Sequence, residues 1–216
     1  MTDQLDLLPP PASLSREDGL ARLEALVGVD LRPLADHYGI TVFRDGRRNK
    51  GWAGQVVERY LGRSPNADKA ADFGDWELKV VSVVPDARGE PRVKESMAIA
   101  HCTAGELETT PFEDSHLLEK LGRLVVVARL GGAPDDGYSP VLGAAPFDLG
   151  DARLYEQVRE DYDEIRWVIR DEGAYALSGH IGRLVQPRPR GDGTAWGFYA
   201  RARFVAYMLG LSPSAD

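Results

Sequence analysis

Apolar residues recur at two different periods along the chain. A helical period, with an apolar residue every three or four positions, predicts amphipathic helices from Ser15 onward and at 51–61 and 151–170. Shorter helices are expected at about 31–38, 115–121 and 201–210. The stripe in 51–61 is the clearest of these. Glu58 lies at its edge, within the last two turns, and could point towards a neighbouring sheet.

An alternating period predicts strands. In WELKVVSVV, from residue 76, Glu77 and Lys79 fall on one face and the apolar residues on the other. Further strands are predicted at 95–102, 123–130, 183–187 and 196–200. One central β-meander, with helices before and after it, predicts an α/β or α+β fold.

The composition is that of one globular unit. The chain has 216 residues, of which 43% are hydrophobic and 28% charged, so 15–216 is expected to form a single domain after a Pro-rich, disordered 1–14. A single cysteine, Cys102, excludes an intramolecular disulfide. The sequence shows neither a membrane-spanning stretch nor a secretory signal pattern, so we expect a cytoplasmic protein.

The net charge and the distribution of charge along the chain point in different directions for an anionic partner. The formal net charge of −8 argues against nucleic acid, because Lys and Arg supply most of the affinity for phosphates. Cationic residues are nevertheless concentrated in 44–50 and again in 183–203, while acidic residues dominate 149–172. Such clusters are more often solvated surface than binding sites, so they permit a nucleic-acid partner without requiring one.

Three ionisable residues in DFGDWELK have the composition of a hydrolytic metal site. Glu77 and Lys79 share a strand face, and Asp72 precedes them in a turn. Two carboxylates suit Mg²⁺, which can activate a water and stabilise charge on a phosphodiester, and an adjacent lysine can orient that water. The spacing alone is a weak pattern, since an exposed Glu–Lys pair and a turn aspartate would give it too. Asp75 is a competing carboxylate.

The surrounding motifs identify the pattern. The chain resembles the MutH family of mismatch-repair endonucleases, which has the fold of type II restriction enzymes of the PD-(D/E)xK class. The resemblance is collinear and rests on NKGWAGQVVERYLG (49–62), ADFGDWELK (71–79), EDSHLLEKLGRLVVV (113–127), REDYDEI (159–165), VQPRPR (185–190) and GFYARARF (197–204). It implies a restriction-endonuclease-like core, with a central mixed sheet flanked by helices. It also implies a catalytic lobe at about 15–130 and a recognition lobe at about 150–216, with a DNA-binding cleft between them.

The resemblance also implies the catalytic residues. Asp72, Glu77 and Glu58 match the acidic metal site for Mg²⁺, and Lys79 matches the lysine of the motif. Lys120 matches a lysine near the active site. His116, which shares a helical face with Lys120, is better explained as a structural histidine.

Residues for DNA binding follow from the same resemblance. Lys50 matches a DNA-contacting lysine at the head of a helix, and Arg188 matches an arginine that recognises a base, with geometry suited to guanine. Tyr199 matches a tyrosine that helps to sense adenine methylation, although a core aromatic would explain it equally well. Arg190 and Arg201 complete the expected DNA surface.

Two departures from the family affect the prediction. Asp72 and Glu77 are separated by two fewer residues than in the enterobacterial proteins, and the long family insertion before GFY is reduced to GDGTAW. The resemblance therefore supports the prediction of DNA hydrolysis more firmly than the prediction of sequence preference or methylation sensing.

Three functions remain open. The first is an endonuclease that nicks the unmethylated strand of double-stranded DNA at a hemimethylated GATC-like site, as a monomer activated by MutL after MutS finds a mismatch. The second is a dimeric restriction enzyme of the same subfamily. The third is a DNA-binding module without catalysis, against which the intact acidic residues argue.

Overall fold

The computed structural model describes residues 14–63, 71–131, 137–190 and 195–215. Their helices are α1 (Arg16–Glu24), α2 (Leu31–His37), α3 (Trp52–Tyr60), α4 (Ala104–Thr109), α5 (His116–Gly122), α6 (Ala152–Glu172) and α7 (Ala202–Met208). Their strands are β1 (Phe43–Arg44), β2 (Arg47–Arg48), β3 (Glu77–Pro85), β4 (Pro91–Val93), β5 (Met97–Thr103), β6 (Leu124–Leu130), β7 (Val141–Phe147), β8 (Val185–Arg190) and β9 (Ala195–Ala200).

The first helix begins where the sequence predicts it. The Ser15 hydroxyl accepts a hydrogen bond from the Asp18 amide at 3.1 Å and thereby caps α1. Just before it, Leu14 is buried, and its carbonyl accepts a hydrogen bond of 2.8 Å from Nε1 of Trp76. Leu14 therefore belongs to the fold, contrary to the predicted disorder of 1–14. The rest of that prediction, residues 1–13, lies outside the described residues.

A mixed sheet forms the centre of the fold, in the order β4-β3-β6-β7. β3 runs parallel to β6, from Glu77↔Leu124 to Val83↔Leu130, whereas β4 and β7 run antiparallel to their neighbours. Helices cover both faces. On one face Leu78 and Val125 belong to a core with α1, α2 and α3, and on the other Val81 and Val126 belong to a core that includes α5 and α6. The predicted mixed sheet flanked by helices is confirmed.

The prediction of one β-meander is wrong. The antiparallel neighbour of β3 is the short β4, and β5 leaves this sheet to join an antiparallel sheet of order β5-β9-β8. Period-two patterns identify strands without identifying their partners, so the sequence could not separate the two sheets. Because β5 pairs with C-terminal strands, the sheets do not follow the predicted boundary near 130–150, and the division into two lobes stays a prediction.

Some elements were not predicted. β7 has the sequence VLGAAPF, in which Gly143 and Pro146 weaken the strand pattern; its position at a sheet edge tolerates the proline. The segment FRDGRR forms a β1–β2 hairpin that turns at Asp45 and Gly46, both with positive φ. Within the described residues no helix is long and apolar enough to cross a membrane. Cytoplasmic residence stays a prediction.

Candidate active site

Glu77 is the buried centre of the candidate site. It begins β3 and is only 1% exposed, and its amide donates to the Arg123 carbonyl at 2.8 Å. Its Oε1 accepts a hydrogen bond from the ammonium of Lys79 on the same strand face and one of 3.0 Å from Lys120 on α5. A buried carboxylate needs such partners, because desolvation of an unpaired charge is costly. Two elements distant in sequence thus place cations at one oxygen.

Asp72 adjoins Glu77 through the backbone. Its amide donates to Oε2 of Glu77 at 3.2 Å, and its own Oδ2 accepts from the Leu78 amide at 3.2 Å. Oδ1 forms an ion pair of 2.8 Å with Arg63, which follows α3. The shortened loop therefore still brings the Asp72 carboxylate beside the start of β3.

Asp75, the competing carboxylate, lies apart from this pair. Its side chain is 61% exposed and pairs with Arg123. Asp72 rather than Asp75 adjoins Glu77, as the resemblance implies.

Glu58 approaches the same cluster from α3. It is half-buried and lines the same cleft as Asp72 and Glu77. Burial, and then the charge of Asp72, raise the pKa of Glu58 above its usual range, and the pKa of Asp72 is raised by burial and by Glu77. The carboxyl groups of Glu58 and Asp72 therefore lie close to Glu77, and their own charged forms are disfavoured.

A cluster of this kind suits a hard divalent cation. Its donors are all carboxylate oxygens, and a bound cation would relieve the repulsion that raises the pKa values of Asp72 and Glu58. The site as it stands is not closed around an ion: among the described residues, no group of three or more acidic, histidine or cysteine side chains is arranged to hold a metal. The residues that fit the role of ligands are Asp72, Glu77 and Glu58. Waters or substrate oxygens would complete the coordination.

His116 lies outside this cluster. Its Nδ1 is 2.8 Å from Oε2 of Glu119, and both side chains are nearly half exposed. Lys120 on the same helix reaches Glu77. This ion pair agrees with a structural role for His116.

The carboxylates face a broad cleft between the two sheets. The space open to water in it is about 810 Å³. Lys50, just before α3, and Arg190, at the end of β8, both line it, as do Lys79 and Lys120. Several cationic residues of an acidic protein thus line one groove, which can accept a polyanion.

The second sheet presents Arg188 and Tyr199 on one surface. Arg188 is exposed on β8, and its guanidinium carbon lies 5.5 Å from the centre of the Tyr199 ring on β9. In the register, Arg188 faces Gly197, two residues before Tyr199. The core side of this sheet is instead formed by residues such as Phe198, so Tyr199 is not the core aromatic that the sequence left as an alternative.

Arg201 has a different position from the other predicted DNA contacts. Its guanidinium donates to the carbonyls of Gly179, Ile181 and Gly182 at 2.8–3.0 Å. Burial, followed by the charge of Arg203, lowers its pKa. Its donors are used to hold the loop before β8, so we do not carry Arg201 into the proposed DNA surface.

Sequence reasoning missed three residues at this site. Asp161 appeared to be part of a charged helix face, but it is 1% exposed and accepts backbone hydrogen bonds of 2.7–2.8 Å from Arg183, Leu184 and Val185. It therefore fixes the start of β8. Arg63 was also missed, because its ion pair with Asp72 depends on how the chain returns from α3 to β3. His101 was missed too, although it lines the cleft. The only signal in the sequence for Asp161 was its place beside the apolar stripe of α6, where a buried residue is expected.

The site consists of a mixed sheet, the carboxylates of Asp72 and Glu77, the lysine two residues after Glu77, and the helical Glu58. This is the arrangement that the resemblance predicts for a nuclease of the PD-(D/E)xK class. The comparisons with known proteins agree. The family model described as "DNA mismatch repair enzyme MutH" matches residues 61–135, the segment that contains Asp72, Glu77, Lys79 and Lys120.

Curated relatives extend the match over nearly the whole chain. The proteins named "DNA mismatch repair protein MutH" from Shewanella sp. (strain MR-4) and Klebsiella pneumoniae are 28% and 29% identical, over 93% and 94% of this chain and 96% and 94% of theirs. That of Vibrio cholerae is 25% identical over 92% of this chain and 97% of its own. Among solved structures, the chain is similar to the one titled "Restriction endonuclease MvaI-cognate DNA substrate complex", with 12% identity, a TM-score of 0.39 and coverage of 91% and 97%. The chain is thus similar to MutH proteins over more than nine tenths of its length.

Proposed function

We propose that this protein is a Mg²⁺-dependent endonuclease of methyl-directed mismatch repair, which nicks the unmethylated strand of double-stranded DNA at a hemimethylated GATC-like site. The observation that carries the proposal is the convergence of Glu58, Asp72 and Glu77 with Lys79 and Lys120 in one cationic cleft. The relatives' names supply the repair context.

The roles of the side chains follow from their positions. Asp72, Glu77 and Glu58 would hold the metal ion through oxygen atoms. When bound, Mg²⁺ supplies Lewis-acid stabilisation of a phosphodiester and a more acidic water. Lys79 and Lys120 keep their ammonium groups at Oε1 of Glu77, where they can orient a water and offset charge that develops on phosphate oxygens.

The DNA path is proposed from the cationic residues around the cleft. Lys50 and Arg190 line it and are suited to phosphates, which carry no sequence information. Arg188, exposed beside Tyr199, is suited to a base edge, because a guanidinium can donate two hydrogen bonds to guanine. The proposal takes a monomer as the active unit, with MutL as activator and MutS acting through it, in the cytoplasm.

One observation bears on the choice of DNA site. β8 and β9 remain paired as far as Arg190↔Ala195, so only residues 191–194 connect them. The family insertion that this connection replaces lies next to the recognition strands. A restriction enzyme of the same subfamily, with another target sequence, is therefore the second candidate.

The deciding experiment uses the full chain, Mg²⁺ and three versions of one duplex: unmethylated, hemimethylated and fully methylated. Each duplex is incubated with and without a MutL protein from the same host, and denaturing gels resolve the two strands. We expect a nick in the unmethylated strand only, at a rate that rises when MutL is present. EDTA should stop the reaction.

Each other outcome has a distinct meaning. Cleavage of both strands without dependence on MutL would replace repair by restriction. Binding of DNA without cleavage in any divalent cation would leave only a DNA-binding module. Failure of the wild-type protein both to bind and to cut duplex DNA would overturn the proposed function altogether.

A further inference from the structure

His101 lies on the wall of the cleft between the acidic cluster and the second sheet. It is a residue of β5, and it lines the same cleft as Lys79, Lys120 and Arg190. In the register of the second sheet, His101 pairs with Gly197, which in turn pairs with Arg188. A DNA strand that reaches both the carboxylates and Arg188 therefore passes His101.

The missing side chain of Gly197 creates the space that His101 uses. A Cβ added to Gly197 would lie 3.0 Å from Nδ1 of His101 and 2.7 Å from Cε2 of Tyr199. Cross-strand residues on one face of a sheet approach within about 5 Å, so only a glycine at this place lets the imidazole and the phenol ring lie over the same strand. The imidazole thus joins the surface that carries Arg188 and Tyr199.

The surroundings of the imidazole favour an anion. Within the described residues neither nitrogen of His101 has a hydrogen-bond partner, although the side chain borders a cleft rich in cations. Burial, followed by the charges of Arg190, Lys79 and Lys120, lowers the pKa of His101 to about 4, and Glu77 opposes this only weakly. At neutral pH His101 is therefore a neutral hydrogen-bond donor among cations.

We propose that His101 donates a hydrogen bond to a backbone phosphate of the bound DNA strand, next to the phosphate that is cleaved. This contact rests on the proposed function and adds a positioning element to it. The cations provide charge, and the imidazole provides direction, because a hydrogen bond from its N–H has a preferred angle. A contact of this kind fixes the register of the strand without reading its sequence.

The first test compares wild-type protein with His101→Ala and His101→Gln. DNA affinity is measured in EDTA, and single-turnover cleavage in Mg²⁺. We expect His101→Ala to bind about 10-fold more weakly, the scale of one hydrogen bond to a charged group. Its single-turnover cleavage at saturating DNA should also be slower, because the strand is held less well beside the carboxylates. His101→Gln, which keeps a neutral donor, should recover much of the affinity. His37→Ala serves as the matched control, since His37 ends α2 and is not among the described residues that line the cleft.

The second test identifies the partner atom. Duplexes carry a single uncharged methylphosphonate at successive positions around the cleaved bond. The loss of affinity in His101→Ala should be smallest at one position, because the methyl group there replaces one acceptor oxygen and removes the charge of the phosphate, and it should persist at the others. Gly197→Ala should reproduce the loss, since the new Cβ displaces the imidazole.

Two results would overturn the proposal about His101 alone. One is a His101→Ala protein that binds and cuts as the wild type does, while the wild type is active. The other is a His101→Ala protein whose sequence preference changes and whose loss of affinity depends on no single phosphate. That result would make His101 a base contact. Absence of binding and cleavage in the wild type would instead refute the proposed function.

Discussion

The ammonium of Lys120 lies 3.0 Å from Oε1 of Glu77, although the two residues are 43 positions apart. This hydrogen bond joins α5 to the first residue of β3. It gives the buried carboxylate a second cation besides Lys79. Lys120, which the resemblance places near the active site, thus contacts the acidic cluster directly.

Replacement of Lys120 by Met should slow cleavage by about 10²-fold, because the transition state loses one positioned cation while the apolar stem is kept. Lys120→Arg should retain more activity. DNA affinity should change far less than rate, which single-turnover kinetics and equilibrium binding separate. Equal losses in rate and affinity would make Lys120 a simple phosphate contact.

Glu77→Ala should reduce Mg²⁺-dependent cleavage by on the order of 10³-fold and leave DNA binding largely intact, since the residue serves the metal rather than the polyanion. Asp75→Asn is the matched control, because its carboxylate is exposed and paired with Arg123. Cleavage gels with both variants make the comparison. Undiminished cleavage by Glu77→Ala would remove this residue from the metal site.

Arg188→Ala should relax sequence preference. The free energy by which the protein discriminates against other bases at the contacted base pair should fall by about 1–3 kcal/mol. Lys50→Ala should instead weaken binding to every sequence and lower the salt dependence by about one phosphate contact. Competition binding with single-base variants of the site, at two or more salt concentrations, distinguishes the two. If Arg188→Ala keeps full discrimination, recognition belongs to another residue.

Asp161→Ala should destabilise the fold by about 3 kcal/mol, because three backbone amides at the start of β8 lose a buried carboxylate acceptor. Glu160→Ala, at an exposed neighbouring position on α6, should have almost no effect. Urea unfolding of both variants measures the difference. An equal stability of the two would contradict the role of Asp161 in holding β8.

The free energy of unfolding should fall as the pH is lowered from about 6.5 to about 4. Burial and then the cations Arg190, Lys79 and Lys120 lower the pKa of His101 from 6.5 to about 4, so the unfolded chain takes up a proton there before the folded protein does. His101→Gln removes this contribution and should show a shallower acid slope. Urea unfolding of the wild type and of His101→Gln, each at pH 7 and pH 5, gives the change in unfolding free energy with pH for both proteins. An equal change in both would show that the imidazole titrates alike in the folded and unfolded states.

Periodicity alone determined most of the elements. The helices α1, α2, α3, α5, α6 and α7 and the strands β3, β6, β8 and β9 lie where apolar spacing predicts them, because each buries one face or stripe. The motif DFGDWELK likewise indicated Asp72, Glu77 and Lys79, since strand alternation places Glu77 and Lys79 on one face. Its resemblance to a known family, more than its spacing, gave these residues a chemistry.

Only the tertiary structure decided how distant segments meet. The partner of a strand depends on register and on packing of whole elements, which is why β5 could be predicted as a strand yet was assigned to the wrong sheet. For the same reason the sequence could not show that Arg201 is used within the fold or that Asp161 holds β8. Nor could it show that Gly197 leaves room for His101 at the wall of the cleft. Those roles arise from contacts between residues far apart in the chain, and no local pattern encodes them.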